Sequence, residues 1–568
     1  MINLFIILLL LFRLVPHSCA IYDPLSIPNN KFGIHIADLN DIADVPALVN
    51  TNGGDWGYVT LVSTDSDRNK GKWQTLFDQM RRTHLIPIVR LATHIEKDAW
   101  SIPNPVDFDK IVSFFNDLNW PIKNRYIIVY NEPNHAKEWG GTINPEEYAR
   151  DLVQLSQKFK KASDDFFILP AGLDFSAVTD NQSLNASVYL ARMVSSSPDL
   201  LSSIDGWTSH SYPNPGFSGS VYAQGRGTIA SFIWEMGYLR SLGLSNTLPV
   251  FITETGWTHN QENAHQTKLL STSLVGSNLA AAANGIWKDP QIAVITTFIF
   301  NYQSAPFDVF SWRRIGNNGY YAHYDAYREI PKIKGEPVQH EEYVLSNDFI
   351  PERLVADSSY TFSAVLENKG HAIITPSEFV IKFEESNNFT IISDALPNLE
   401  PNEKGTITIH IRTPSTKGTY RVKLVIVHNG RDTILQERYV TIVPPPSLSV
   451  NFKLGWRRTS TTSGVTLLVY DRNNILIKKS TGLSVINGIV TIENLSNIIP
   501  NASYRVVVLV PKYLPRQSIA NLSPDHTNIT LKRFLPLDIN GDGTLTIYDL
   551  LTMFHIKPEK IIRLFIGP

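Results

Sequence analysis

The sequence predicts an α/β fold: a (β/α)8 barrel followed by two all-β sandwich-like modules and a short C-terminal segment. Three observations carry this. Between Lys31 and Lys334 eight short β-rich runs alternate with longer segments whose apolar residues recur at helical spacing. After Lys334 the texture changes to alternating apolar and polar runs separated by polar turns. The stiff stretch Pro444-Pro445-Pro446 then divides that β-rich half in two. The 568 residues suffice for several domains at about 100–200 residues each. With 51 basic against 53 acidic side chains, the formal charge of −2 argues against a chain whose main partner is nucleic acid or another polyanion. A hydrophobic fraction of 43% and a mean hydropathy of −0.10 fit neither a disordered nor a polytopic membrane protein.

The chain starts with an apolar run, Leu4 to Phe12, shorter than the roughly 20 residues that span a bilayer. Ser18-Cys19-Ala20 follows, with small residues one and three positions before a cut after Ala20. This is the pattern of a secretory signal peptide over residues 1–20, and it predicts a secreted or cell-surface protein of bacterial type. An uncleaved anchor is the competing reading. Cys19 is the single cysteine, so cleavage leaves a mature chain without any, which excludes a disulfide-stapled scaffold.

Residues 21–340 form the predicted barrel. Its strands are expected at Phe32–Ala37, Tyr58–Ser63, Ile86–Leu91, Tyr126–Tyr130, Phe167–Ala171, Gly206–His210, Val250–Thr253 and Val294–Phe300. Lys72–Arg82, Pro145–Ala162 and Thr228–Leu242 are among the helical segments between them. An open doubly wound sheet is the runner-up, but no Gly-rich nucleotide loop follows the first strand.

Chemistry in such barrels sits at the C-terminal ends of the strands. Two carboxylates stand there. Strand four runs into Asn131-Glu132-Pro133-Asn134, and strand seven into Thr253-Glu254-Thr255-Gly256-Trp257. A carboxylate directly after an apolar strand is costly unless it is paired, hydrogen-bonded or solvated at a site. Strand alternation is expected to put Tyr126, Ile128, Tyr130 and Glu132 on one face, and Val250, Ile252 and Glu254 on one face. The two glutamates are three βα units apart, nearly opposite on an eight-stranded ring, so both can reach over its mouth. A facing pair of carboxylates is what glycoside hydrolysis requires, one giving a proton and the other ionised. The plainer reading of either glutamate alone is a helix cap or a loop anchor.

Asn131-Glu132-Pro133 and Glu254-Thr255-Gly256-Trp257 together resemble the signature of the clan A retaining glycoside hydrolases, whose catalytic glutamates lie on strands four and seven of a TIM barrel. The resemblance covers roughly Lys31 to Lys334. It implies Glu132 as general acid/base, Glu254 as nucleophile, Asn131 at the sugar 2-hydroxyl, and carboxyl groups about 5–5.5 Å apart. His210 and Tyr212 after strand six resemble a His-X-Tyr pair of that superfamily, with Tyr212 positioned to donate to Glu254. Arg90, at the end of strand three, is a candidate partner of Glu254 or a plain structural ion pair. Trp139, Trp257 and Trp312 lie on or beyond strand ends, where indole faces stack on sugar rings or pack loops. The superfamily often carries an aromatic platform after strand eight, where this chain reads Phe300-Asn301-Tyr302.

Residues 341–446 read as an immunoglobulin-like β-sandwich, with runs such as Tyr360–Leu366, Phe379–Phe383, Thr406–Ile411, Tyr420–Val427 and Arg438–Ile442. Residues 447–532 read as a second β-sandwich module, with Val465–Tyr470, Ile489–Ile492 and Tyr504–Val510. Either module is a carbohydrate binder or a spacer. In residues 533–568, Asp538, Asn540, Asp542, Thr544 and Asp549 occupy positions 1, 3, 5, 7 and 12 of a calcium loop with Gly543 at position 6. Asp at position 12 resembles the loop of dockerin modules, which implies a structural Ca2+ and a cell-surface or cohesin-like partner. A dockerin has two such loops and this chain shows one. A solvated Asx-Gly turn is the plainer reading.

The expected function is therefore exported, retaining hydrolysis of O-glycosidic bonds in a polysaccharide or oligosaccharide, with no cofactor for catalysis and no nucleic-acid partner. A catalytically inactive barrel serving as a surface carbohydrate-binding or attachment protein is the alternative. Transglycosylation shares the same chemistry, and the particular glycan is left open.

Overall fold

The computed structural model describes residues 21–263, 268–346, 349–384, 389–393 and 395–554. The expected signal peptide and residues 555–568 lie outside the described residues. Two compact units are present, one running up to Glu341 with Gly370–Ala372, the other comprising the rest from Glu342.

In the first unit eight parallel strands form one sheet: β1 (Phe32–His35), β2 (Gly57–Ser63), β3 (Leu85–Leu91), β4 (Arg125–Val129), β5 (Phe166–Pro170), β6 (Trp207–Ser209), β7 (Val250–Ile252) and β8 (Ile292–Thr297). Neighbours run β5-β4-β3-β2-β1-β8-β7-β6. The two ends meet through Asp205, whose amide donates to the Ile168 carbonyl at 2.9 Å and whose carboxylate accepts from the Ile168 amide at 2.7 Å. The fold is thus the expected (β/α)8 barrel, every strand within one to three residues of its sequence-based bounds.

Helices follow the strands for local reasons. Asn69 caps Lys70–Arg82 by accepting from the Lys72 amide, and Arg81 and Arg82 lie in its last turn. Pro145–Ala162 has Pro145 in its first turn, Asn144 accepting from the Glu147 amide, and Lys160 and Lys161 at its end. Tyr58, Ile86, Ile88, Tyr126, Ile128, Phe167, Leu169 and Phe251 fill the barrel interior, while Val59, Val89, Ile127, Val129, Ile168, Val250 and Ile252 face the helix layer.

This corrects the expected facing of two strands. On β7 it is Phe251 that points inward and Val250 and Ile252 that point outward. On β4 Tyr126 and Ile128 do face inward, but Tyr130 packs with the outer core. The backbone has left extended geometry there, with φ +69° at Tyr130 and +28° at Glu132. Alternation no longer applies once the strand has ended.

In the second unit, two four-stranded sheets occupy Tyr343 to Val443. Asn429-Gly430, both at positive φ, close a two-residue hairpin in which His428 opposes Arg431. A three-stranded and a four-stranded sheet follow between Ser447 and Thr530, around Leu448, Val450, Val465, Leu467, Val506 and Val508. A short helix, Ile547–Met553, ends the described chain. Among the described residues no helix is long and apolar enough to cross a membrane.

Candidate active site

The C-terminal ends of β3, β4, β6 and β7 bring Arg90, Glu132, His210 and Glu254 together. One carboxylate oxygen of Glu132, one of Glu254 and a ring nitrogen of His210 all lie within 4.8 Å of one another. Glu132 is presented by a strained turn: its amide donates to Gly172 O at 3.1 Å and its own carbonyl accepts from the His135 amide at 2.9 Å. A non-glycine residue at positive φ costs free energy that the surrounding structure must hold in place. Here Asn134 does that holding. It is fully buried and spans the loops after β4 and β5, accepting from the Asp174 amide and donating to the Asp174 and Leu184 carbonyls.

Glu254 is buried and bonded on both oxygens. Arg90 Nη1 donates to Oε1 at 2.7 Å, and the Tyr212 hydroxyl donates to Oε2 at 3.1 Å. Burial works against its charge. The positive charges of His210 and Arg90 and the Tyr212 hydrogen bond outweigh it, and the carboxyl sits below the usual range. The same Arg90 nitrogen donates to Asn131 Oδ1 at 2.8 Å, linking the two strand ends. His210 Nδ1 lies 2.7 Å from Glu132 Oε1 and 3.8 Å from Glu254 Oε2. Burial opposes protonation of His210, but the two carboxylates raise its pKa overall. Its ring packs against Gly172, where a Cβ would come within 2.2 Å of His210 Cδ2, so a side chain there would displace the imidazole from the two glutamates.

Three of the expected residues are placed differently. Trp139, Trp257 and Trp312 are not open stacking surfaces; they are 0%, 2% and 3% exposed. Trp139 is wedged between Tyr130 and Tyr148 with its Nε1 on Glu147. Trp257 donates to Gly219 O, and Trp312 packs on His323 and Tyr327. Each loop folds back on its barrel, where an indole buries more area than it could at a rim. Besides Tyr212, the aromatics around this cluster are Trp100, on the short hairpin after β3 in a hollow with Arg90 and Asn131, and Phe298 after β8, whose ring centre is 5.2 Å from that of His35. Phe300, which the sequence offers at the platform position, is fully buried.

Two titratable groups went unread in the sequence. His35, at the end of β1, is buried with Nδ1 3.6 Å from Glu254 Oε1, and burial and Arg90 push its pKa down to about 3, leaving it neutral. Glu138 lines a small hollow with Arg90, Trp100, Tyr130 and Asn131. Burial, then the charge of Glu132, lifts Glu138 from 4.5 to about 7 against the pull of Arg90 and a hydrogen bond from Asn131. A carboxyl raised in the folded state binds its proton more tightly than in the unfolded chain. Stability therefore falls as pH rises from 4.5 towards 7, by on the order of 3 kcal/mol. Thermal melts across that window are expected to show a shallower loss of barrel stability in Glu138→Gln than in the native chain; parallel pH profiles would contradict the assignment.

The cluster of Glu132, His210 and Glu254 has ligand atoms close enough for a metal ion, but Arg90 already occupies Glu254 with a full positive charge. A cation there would face that guanidinium. The loop at Asp538, Asp542 and Asp549 is the other such cluster among the described residues. There Asp538 accepts from the Gly541 and Gly543 amides, and Asp549 from those of Ile539 and Thr546. Asn540 and Thr544 each bond to Asp542, so all five expected ligands gather in one loop.

No family model matches the chain, and no curated protein matches it in sequence. Among solved structures it is similar to a family 39 glycoside hydrolase from Bacteroides cellulosilyticus WH2, at 12% identity over 69% of this chain and 82% of that one, with a TM-score of 0.38. It is also similar to a glucosidase from Croceicoccus marinus, at 11% identity over 84% and 95% with a TM-score of 0.38. A β-mannanase from Thermomonospora fusca matches at 12% identity over 53% and 87%, with a TM-score of 0.33. These structural neighbours are glycoside hydrolases. The fold rests on the eight-stranded parallel sheet itself, and the chemistry on the residues at the barrel mouth.

Proposed function

We propose that the chain is an exported retaining β-glycoside hydrolase acting on a polysaccharide or oligosaccharide. The observation that carries this is the pair Glu132 and Glu254, with oxygens within 4.8 Å of each other. That separation fits the shorter spacing used for a covalent intermediate rather than the wider gap that admits a water. Glu254, held ionised by Arg90 and Tyr212, attacks the anomeric carbon and forms a glycosyl ester. The bond to the leaving oxygen breaks as that oxygen takes the Glu132 proton. Glu132 then removes a proton from water, which attacks the same carbon and frees Glu254. Asn131, held by Arg90, would contact the sugar 2-hydroxyl in this reading. Catalysis needs no cofactor in this reading.

The test is reducing-sugar release from a panel of β-glycans by residues 21–568, beside Glu254→Gln, with the anomeric configuration of the first product read by proton NMR. Release of product with retained configuration, absent from the variant, supports the reading. Inverted product would sink retention, and a folded protein that binds a glycan without releasing sugar would favour an attachment protein.

The C-terminal loop is proposed to hold a structural Ca2+ through Asp538, Asn540, Asp542, Asp549 and the Thr544 backbone. A cohesin-like partner is the interaction this loop would support. Calorimetric titration of the full chain is expected to show one Ca2+ bound per chain, with Asp549→Ala weakening it at least tenfold. Equal affinity in the variant would remove the site.

A further inference from the structure

We propose that the second β module binds a polyanionic polysaccharide, a chain bearing uronate or sulfate groups, across the end that carries Trp456. The net charge of −2 hides an asymmetry. Between Ser447 and Leu537 there are eleven Lys and Arg against three Asp and Glu, a formal +8, while the rest of the chain has 40 basic against 50 acidic side chains. The near-neutral balance of the whole chain therefore does not exclude a polyanionic partner for this module.

Six of those cations meet at one end. The Gly455 amide donates to Phe534 O at 2.9 Å and the Phe534 amide to Lys453 O at 2.9 Å, joining the 453–458 loop to Arg533. Leu514 N donates to Leu535 O at 3.0 Å and the Tyr513 hydroxyl to Gly455 O at 3.2 Å, which brings the 512–516 turn alongside. Arg516 Nε donates to the carbonyl of Arg533 at 3.2 Å. Lys453, Arg457, Arg458, Lys512 and Arg533 are exposed and Arg516 partly so. Among the described residues, no Asp or Glu forms an ion pair with any of the six. The nearby carboxylates of Asp538 and Asp549 are turned onto amides of their own loop. Like charges gathered without counter-charges repel one another, and an anionic chain relieves that repulsion.

Trp456 adds a second, independent feature. At 83% exposure it is the most exposed large apolar side chain among the described residues, and its φ is +57°. Left-handed geometry is rare for so bulky a residue. It turns the indole out from a loop pinned at Lys453 and Gly455. An open indole face stacks on a sugar ring, while the flanking guanidinium forks suit carboxylate or sulfate groups on neighbouring rings. Single-stranded nucleic acid calls for successive stacking aromatics along a basic groove, whereas Trp456 is exposed and the neighbouring Tyr513 and Phe534 are buried. The choice of a glycan over other polyanions rests in part on the glycosidase reading of the barrel.

The experiment is affinity electrophoresis of full-length Glu254→Gln in native gels containing polygalacturonate, dextran sulfate or dextran. Retardation is expected in both polyanions and not in dextran. Replacing Lys453, Arg457, Arg458 and Arg533 together by Gln is expected to lower affinity at least tenfold, and Trp456→Ala to lower it about fivefold for polygalacturonate. Thermal melts of these exposed variants check that they fold. Equal retardation in dextran, no retardation in either polyanion, or unchanged binding in either variant would overturn the proposal. So would tighter binding to a DNA duplex or to phosphatidylglycerol vesicles than to polygalacturonate. Retardation of Glu254→Gln beside a native protein that hydrolyses no glycan would count against the glycosidase reading alone, whereas hydrolysis by the native protein without retardation of the variant would count against this one.

Discussion

Glu254→Gln is expected to lower turnover on any glycan the native protein hydrolyses by about 10⁴–10⁶-fold, the range seen when a nucleophile is removed. The amide is nearly isosteric, so the loss is chemical. A neutral carboxamide cannot form the glycosyl ester, and the positive groups assembled to keep Glu254 ionised then serve nothing. The fold should persist, because Arg90 keeps its bond to Asn131 Oδ1 and the barrel core below is untouched. The pH dependence carries the same logic. Glu254 is depressed below its ordinary value of 4.5, so the acid limb of kcat/KM is expected below pH 4.5, and Tyr212→Phe should move it upward by removing one hydrogen bond to the ionised form. Small azide ions should restore turnover in Glu254→Gly, giving a glycosyl azide of inverted configuration. Retained configuration in that product would reassign the nucleophile.

The parts of this site legible in the sequence are those set by strand periodicity. Buried parallel strands read as continuous apolar runs, so the ends of β4 and β7 were visible, and a carboxylate placed there is conspicuous. What followed the strands was not. The turn at Tyr130 and Glu132 has positive φ, which no hydrophobic pattern encodes, and it sends Tyr130 outward against alternation. Trp139 is pulled inward because the loop after β4 folds back onto Glu147. Glu138 lies in that loop, one residue from Trp139 with no strand to frame it. His35 closes a strand as a single polar residue at the barrel mouth, the same signal that exposed Glu254, and it could have been found that way. In the β modules the strand Leu476–Val485 lacks an apolar signature because Lys478, Lys479, Ser480 and Thr481 interrupt it. They belong to an edge strand, where lysines discourage pairing with another chain.

Glu132→Gln is expected to have an effect that depends on the leaving group, which separates its role from that of Glu254. On a glycan, whose departing alkoxide must be protonated, the loss is expected at about 10²–10⁴-fold. On a 2,4-dinitrophenyl glycoside the departing phenolate is stable without a proton, so the first step should proceed almost as in the native protein. Hydrolysis of the ester then lacks its base, since the water that Glu132 would deprotonate is left unactivated. A burst of about one dinitrophenolate per chain followed by a slow steady state is the expected trace. Azide, which needs no base, should quicken that steady state and give product of retained configuration, the opposite outcome to that with Glu254→Gly. His210, 2.7 Å from Glu132 Oε1, loses its carboxylate partner in this variant but keeps the charge of Glu254 beside it. It is not an alternative proton donor if the burst appears, because a competent imidazolium would sustain turnover on the glycan. Equal losses on the two substrates, with no burst, would place the acid/base elsewhere and make Glu132 a positioning residue for His210.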